Sequence, residues 1–124
     1  MKIQQSAEDY LETMLILQEK YGYIRSIDIA NYLGVTKPSV SYAVKRLKES
    51  GYINMESNGP ITLTTPGLEI AKRTYERHKA LVDFLEVLGV ESELAEEDAC
   101  KIEHVISNDT YLAICSYLEK NGKR

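Results

Sequence analysis

The sequence is short of cysteine, of surplus positive charge and of long apolar runs, and each shortage excludes something. Two cysteines, Cys100 and Cys115, are too few for a disulfide framework. The N-terminal Met-Lys-Ile-Gln-Gln-Ser has no apolar core of a secretion signal. No segment approaches the roughly 20 apolar residues of a membrane span. A reducing cytoplasm is therefore the expected compartment, with no membrane partner and with thiols free for packing or metal. Repeats and low-complexity segments are absent as well. The 15 Lys and Arg fall below the 19 Asp and Glu, for a net charge of −4. The basic excess that usually marks a nucleic-acid binder is thus missing.

That last shortage is local. Residues 1–75 hold 9 basic and 8 acidic side chains, whereas residues 76–124 hold 6 and 11. The acidity belongs to the C-terminal part, and such asymmetry often separates a nucleic-acid-facing region from another function. What is present fits one or two small folded domains: 124 residues, 44% hydrophobic and 27% charged.

The apolar periodicity predicts a mostly α chain. A first helix runs from about Ser6, as N-cap, to Tyr21, with Tyr10, Leu11, Met14, Leu15 and Leu17 as its stripe and Gly22 as its stop. A second runs from Ser26 to Leu33 before Gly34. A third opens on Thr36 as N-cap with Pro38 in its first turn, and ends at Gly51. Three helices with a tight turn between the last two make a helix-turn-helix. Tyr52–Glu56 and Ile61–Thr64 then alternate as strands, and Asn58-Gly59 between them signals a hairpin because both residues accept positive φ. The wing completes an N-terminal winged helix-turn-helix. Thr65-Pro66 caps a long helix to about Leu88, and helices over Ser92–Ile106 and Asp109–Glu119 complete an all-helical C-terminal part.

On the third helix Val40, Ala43, Val44 and Leu47 face inward, leaving Pro38, Ser39, Tyr42, Lys45 and Arg46 outward. Small hydroxyls near a helix N-terminus with cations further along suit a helix entering the major groove. Ser39 and Tyr42 are the base-edge candidates; Lys37, Lys45 and Arg46 are the phosphate candidates, and Thr36 adds its hydroxyl. Helix-turn-helix shapes also serve as protein-binding modules. The wing, and a face whose single acid is Glu49 at the far end, favour double-stranded DNA.

A second constellation could hold metal. Asp9 and Glu12 stand one turn apart on the first helix, His78 lies mid-way along the long helix, and Cys100, Glu103 and His104 follow i, i+3, i+4 spacing. Carboxylates, imidazoles and a thiolate suit a divalent first-row transition metal if the three helices converge. Taken singly, Asp9 and Glu12 read as solvated helix acids, Cys100 as a packing residue and His78 as a surface histidine. Periodicity alone makes a ligand cluster only of Cys100, Glu103 and His104. Leu94, Ile102, Ile106, Leu112, Ile114 and Leu118 are too many apolar residues for one short helical pair, and predict a two-fold interface in a homodimer.

The stretch Ser6-Ala-Glu-Asp-Tyr-Leu-Glu12, Pro38-Ser39-Val40, Leu63-Thr-Thr-Pro-Gly67, Arg77-His78 and Ala99-Cys-Lys-Ile-Glu-His-Val-Ile-Ser107 resemble, in order, the diphtheria toxin repressor and manganese transport regulator family. The resemblance implies a winged helix-turn-helix DNA-binding domain over 1–70 and a metal-binding and dimerisation domain over 71–124, in the short form without an SH3-like third domain. It implies a metal-activated homodimer that binds a palindromic operator and represses metal-uptake genes, with Asp9, Glu12, His78, Cys100, Glu103 and His104 as ligands. Asp9 matches the manganese branch, which has Asp there where the iron branch has Met. Cys100 matches the iron branch, which has Cys where the manganese branch has Glu. A thiolate shifts preference away from Mn(II), so the order is Fe(II), then Mn(II), with Co(II) or Zn(II) as substitutes in vitro. In the family a Glu one turn after the histidine helps hold a second ion. Here Val82 stands there, Asp83 points elsewhere, and Glu96, one turn before Cys100, is the weaker alternative. An enzyme is not expected: a small metallohydrolase needs a substrate cleft that so short a helical chain hardly offers. A metal-independent winged-helix regulator is the other alternative.

Overall fold

A computed structural model of the chain describes residues 5–56 and 59–122. The elements run α1 (Gln5–Tyr21), α2 (Ser26–Leu33), α3 (Lys37–Glu49), β1 (Ile53–Met55), β2 (Ile61–Leu63), α4 (Thr65–Val87), α5 (Ser92–Ile102) and α6 (Asn108–Lys120). They form two compact units that divide between Arg73 and Thr74.

In the first unit α1, α2 and α3 close around Leu11, Met14, Ile29, Val40 and Leu47, all at least nine-tenths buried. Gly22 and Gly34 end α1 and α2 with positive φ, a conformation costly for any residue with a Cβ. Ser6 lies inside α1, already helical at Gln5, so it is not the N-cap the sequence suggests. The wing is antiparallel, pairing Ile53 with Leu63, Asn54 with Thr62 and Met55 with Ile61. Ile24 bridges to Ile61 on the other side, so the segment between α1 and α2 borders the wing.

The hairpin tip departs from expectation. Asn58 lies outside the described residues, and Gly59 is not among the glycines with positive φ. Gly59 instead donates its N–H to the Glu56 carbonyl, whose oxygen a Cβ would meet at 2.7 Å. Close approach, not left-handed backbone, is what this glycine provides. The cap of α4 also moves by one residue. Thr64 Oγ1 accepts from Gly67 N at 3.3 Å and donates to the Gly51 carbonyl at 2.7 Å.

In the second unit the rest of α4 accompanies α5 and α6, with Ala80, Leu81, Ala95, Ala99 and Leu118 buried. The alanines let helices approach closely. Gly89 stops α4 with a φ of 100°, and Ser107 caps α6 by accepting from Thr110 N at 3.1 Å. α5 ends at Ile102, four residues before the expected Ile106. The cause is tertiary. Arg77 of α4 donates from Nη1 to the carbonyls of Glu103 at 3.4 Å and Ile106 at 3.0 Å, and its guanidinium lies over the Tyr111 ring. A cation holding terminal carbonyls stabilises a helix end at that point.

Candidate metal centre and reading helix

The second unit gathers His78 from α4, Cys100 from the last turn of α5 and Glu103 from its C-cap. One ligand atom of each lies within 4.8 Å of the others. Glu103 and His104 therefore sit on the turn after α5, not on a continuing helix as their spacing suggests. Cys100 is exposed, the His78 side chain is 16% exposed, and the Glu103 side chain is entirely out of water.

The environment of Glu103 is the informative feature. Among the described residues, neither of its carboxylate oxygens has a hydrogen-bond partner. His78 Nδ1 approaches Glu103 Oε1 to 3.3 Å without hydrogen-bond geometry, and His104 Nε2 stands 3.9 Å from the same oxygen. Removing a carboxylate from water without donors costs several kcal/mol, on the order of the penalty for any unpaired buried ion. Two imidazoles, a thiolate and this carboxylate fit a divalent transition metal, which would supply the missing charge. Of the six candidate ligands, His78, Cys100, Glu103 and His104 thus belong to the second unit. Asp9 and Glu12 lie in the first, one turn apart on α1, with Asp9 half-buried and Glu12 buried. Val82 and Asp83 are half-buried. Glu96 is exposed, and its Oε2 lies 2.7 Å from His78 Nε2.

On α3, Thr36, Lys37, Pro38, Ser39, Tyr42, Lys45 and Arg46 are all exposed, and Val40, Val44 and Leu47 are buried beneath them. Thr36 is the N-cap: its Oγ1 accepts from Ser39 N at 3.2 Å and donates to Ser39 Oγ at 2.9 Å. Thr36→Ala removes both bonds and is expected to cost about 1 kcal/mol. In a thermal melt this appears as a fall of about 4–8 °C for a unit of this size. Arg46 Nη1 donates to the Tyr42 hydroxyl at 3.0 Å and lies over that ring, and this bond raises the pKa of the guanidinium. Arg46 and Tyr42 are therefore one assembly, which their i, i+4 spacing could have signalled. Sequence spacing gives no role to Arg77, although it adjoins His78 and holds the turn that carries Glu103.

Residues 2–59 match the family described as iron dependent repressor, N-terminal DNA binding domain. Residues 64–123 match iron dependent repressor, metal binding and dimerisation domain. An HTH-type transcriptional regulator of Methanocaldococcus jannaschii is 37% identical over 118 residues, 94% of either chain. The transcriptional regulator MntR of Escherichia coli is 37% identical over 117 residues, 94% of this chain and 76% of its own. A solved manganese-dependent transcriptional repressor in complex with manganese has a TM-score of 0.82 and 28% identity, over 95% of this chain and 53% of that one. The chain thus spans about half the length of that structural relative. Two consecutive matches that take in nearly every residue, one to the DNA-binding domain and one to the metal-binding and dimerisation domain, leave a single assignment: the chain belongs to the iron-dependent repressor family of metal-dependent transcriptional regulators.

Proposed function

We propose that this chain is a cytoplasmic homodimer that Fe(II) or Mn(II) activates to bind a palindromic DNA operator and repress metal-uptake genes. Residues 1–70 form the DNA-binding domain, and residues 71–124 form the domain that dimerises and supplies most of the metal ligands. The observation that carries the reading is Glu103: a buried carboxylate with no hydrogen-bond partner among the described residues, beside a thiol and an imidazole. Asp9, Glu12 and His104 join His78, Cys100 and Glu103 as ligands. Bound among them, a divalent cation supplies the positive charge that offsets three carboxylates and a thiolate.

The chain's own residues do the rest. Thr36 fixes the start of α3, Ser39 and Tyr42 address base edges, and Lys37, Lys45 and Arg46 address phosphates. Asp9 and Glu12 stand on α1, which packs against α3, so their use as ligands would link the metal to the reading helix. Without the cation, conformations unable to fit both half-sites lower the apparent DNA affinity by the fraction they occupy. Dimerisation draws support from apolar exposure in the second unit: Leu88 is 61% exposed, Leu112 53% and Leu94 49%. Phe84, Ile114 and Tyr117 line a groove beside Leu88, with the Phe84 and Tyr117 rings edge to face at 5.7 Å.

The test is DNA binding, on duplexes selected from a random library, against buffered Fe(II), Mn(II), Co(II) and Zn(II) without oxygen. Tight binding only with metal is the expected result. Equal affinity with and without metal would favour the metal-independent alternative. Cys100→Glu exchanges a soft ligand for a hard one. It is expected to shift the Mn(II)-to-Fe(II) affinity ratio toward Mn(II) by about tenfold, ~1.4 kcal/mol. An unchanged ratio would remove Cys100 from the ligand set.

A further inference from the structure

We propose that Glu96 is a positioning residue for the metal centre: it accepts the Nε2–H of His78 and thereby keeps Nδ1 bare, turned toward Glu103. The inference rests on the metal reading above. His78 Nε2 lies 2.7 Å from Glu96 Oε2, whereas Nδ1 lies 3.3 Å from Glu103 Oε1. An ionised carboxylate accepts and cannot donate, so the nitrogen bonded to Glu96 carries the hydrogen. In the neutral ring the other nitrogen then holds a lone pair.

That lone pair meets a carboxylate oxygen at a distance where two acceptors repel unless a cation lies between them. The arrangement is the one in which a ligating histidine passes its outer N–H to a carboxylate, which sets the tautomer, orients the ring and makes the inner nitrogen more basic. The bond also ties the α4 ligand to α5, one turn before Cys100. With 60% of its side chain exposed, Glu96 shares its oxygens with water. Its contribution is orientation and polarity, and an exposed pair of this kind adds little to folding stability. Sequence spacing suggests Glu96 as a ligand of a second ion. Its bond to the outer nitrogen of His78 gives it a different task.

The chain has only two histidines, so both imidazoles can be followed by long-range proton–nitrogen spectra, with a His104→Gln spectrum to assign them. Spectra are taken on metal-free chain, well above the ordinary imidazole pKa of about 6.5. The unmodified chain is expected to show His78 protonated on Nε2 alone, and Glu96→Ala to relax it toward a mixture of tautomers. Co(II) titrated into the same samples should bind Glu96→Ala about 10- to 100-fold more weakly, with unchanged stoichiometry. Glu96→Gln keeps an acceptor oxygen and should lie closer to the unmodified chain in both readouts. An unchanged tautomer and Co(II) affinity in Glu96→Ala overturns the proposal. So does the loss of one whole equivalent of Co(II) in both variants, which would make Glu96 a ligand. Failure of the unmodified chain to bind Co(II) at all overturns the metal reading and this proposal with it.

Discussion

Glu103→Gln is expected to abolish metal-dependent DNA binding while leaving the metal-free chain at least as stable as before. The two halves of that expectation come from one observation, a carboxylate with both oxygens buried and no hydrogen-bond donor among the described residues. In the metal-free chain the charge is a liability, and a neutral amide of nearly the same shape relieves it. In the metal-bound chain the same charge is the asset. Its loss should weaken metal binding by at least about 100-fold, ~2.7 kcal/mol. Metal at 100 times its Kd stabilises the unmodified chain by about 2.7 kcal/mol and the variant by far less. The order of melting temperatures should therefore invert: variant at or above the unmodified chain without metal, and below it with metal. A variant that retains the full metal-induced rise would show that Glu103 is not a ligand.

Gly67→Ala is expected to be the most destabilising single-methyl change in the first unit. A Cβ at this buried position in the first turn of α4 would lie 2.0 Å from the Tyr52 carbonyl oxygen and 2.9 Å from its carbon. Both are backbone atoms, so no side-chain rotation relieves the clash. Nor can the strand entry easily retreat: the Tyr52 oxygen accepts from Thr64 N at 3.1 Å, and the Thr64 hydroxyl donates to Gly51. Alanine gains at most about 1 kcal/mol in helix propensity over glycine. Overpacking costs about 1–3 kcal/mol, and the upper end applies where only backbone can yield, so sterics win. The melting temperature should drop by more than about 10 °C for a unit of this size, with DNA affinity falling as the wing shifts. A variant that melts with the unmodified chain would mean that this junction is not rigid.

What was legible in the sequence was whatever is decided within a few residues. Gly22, Gly34 and Gly89 mark helix ends because positive φ is a local need, and Thr36 with Pro38 marks a start for the same reason. The end of α5 was not legible. Residues 103–106 contain no glycine or proline, and the stop comes from Arg77, far away in sequence. The cap of α4 fell to Thr64 and not to its neighbour Thr65 because only Thr64 reaches the Gly51 carbonyl. For the site, the ligand types could be listed from spacing, and the juxtaposition of His78 with Cys100 and Glu103 needed the packing of α4 beside α5. That neither Glu103 oxygen has a hydrogen-bond partner among the described residues had no counterpart in the sequence, since burial of one carboxylate depends on all of its neighbours.

The Arg77 clasp bears on the order of events when an ion arrives. Its two bonds close stretches of 26 and 29 residues, so the turn that carries Glu103 and His104 is drawn against α4 by the chain itself. The turn is therefore anchored by protein contacts of its own, and an ion received there has less chain to order than it would in a free loop.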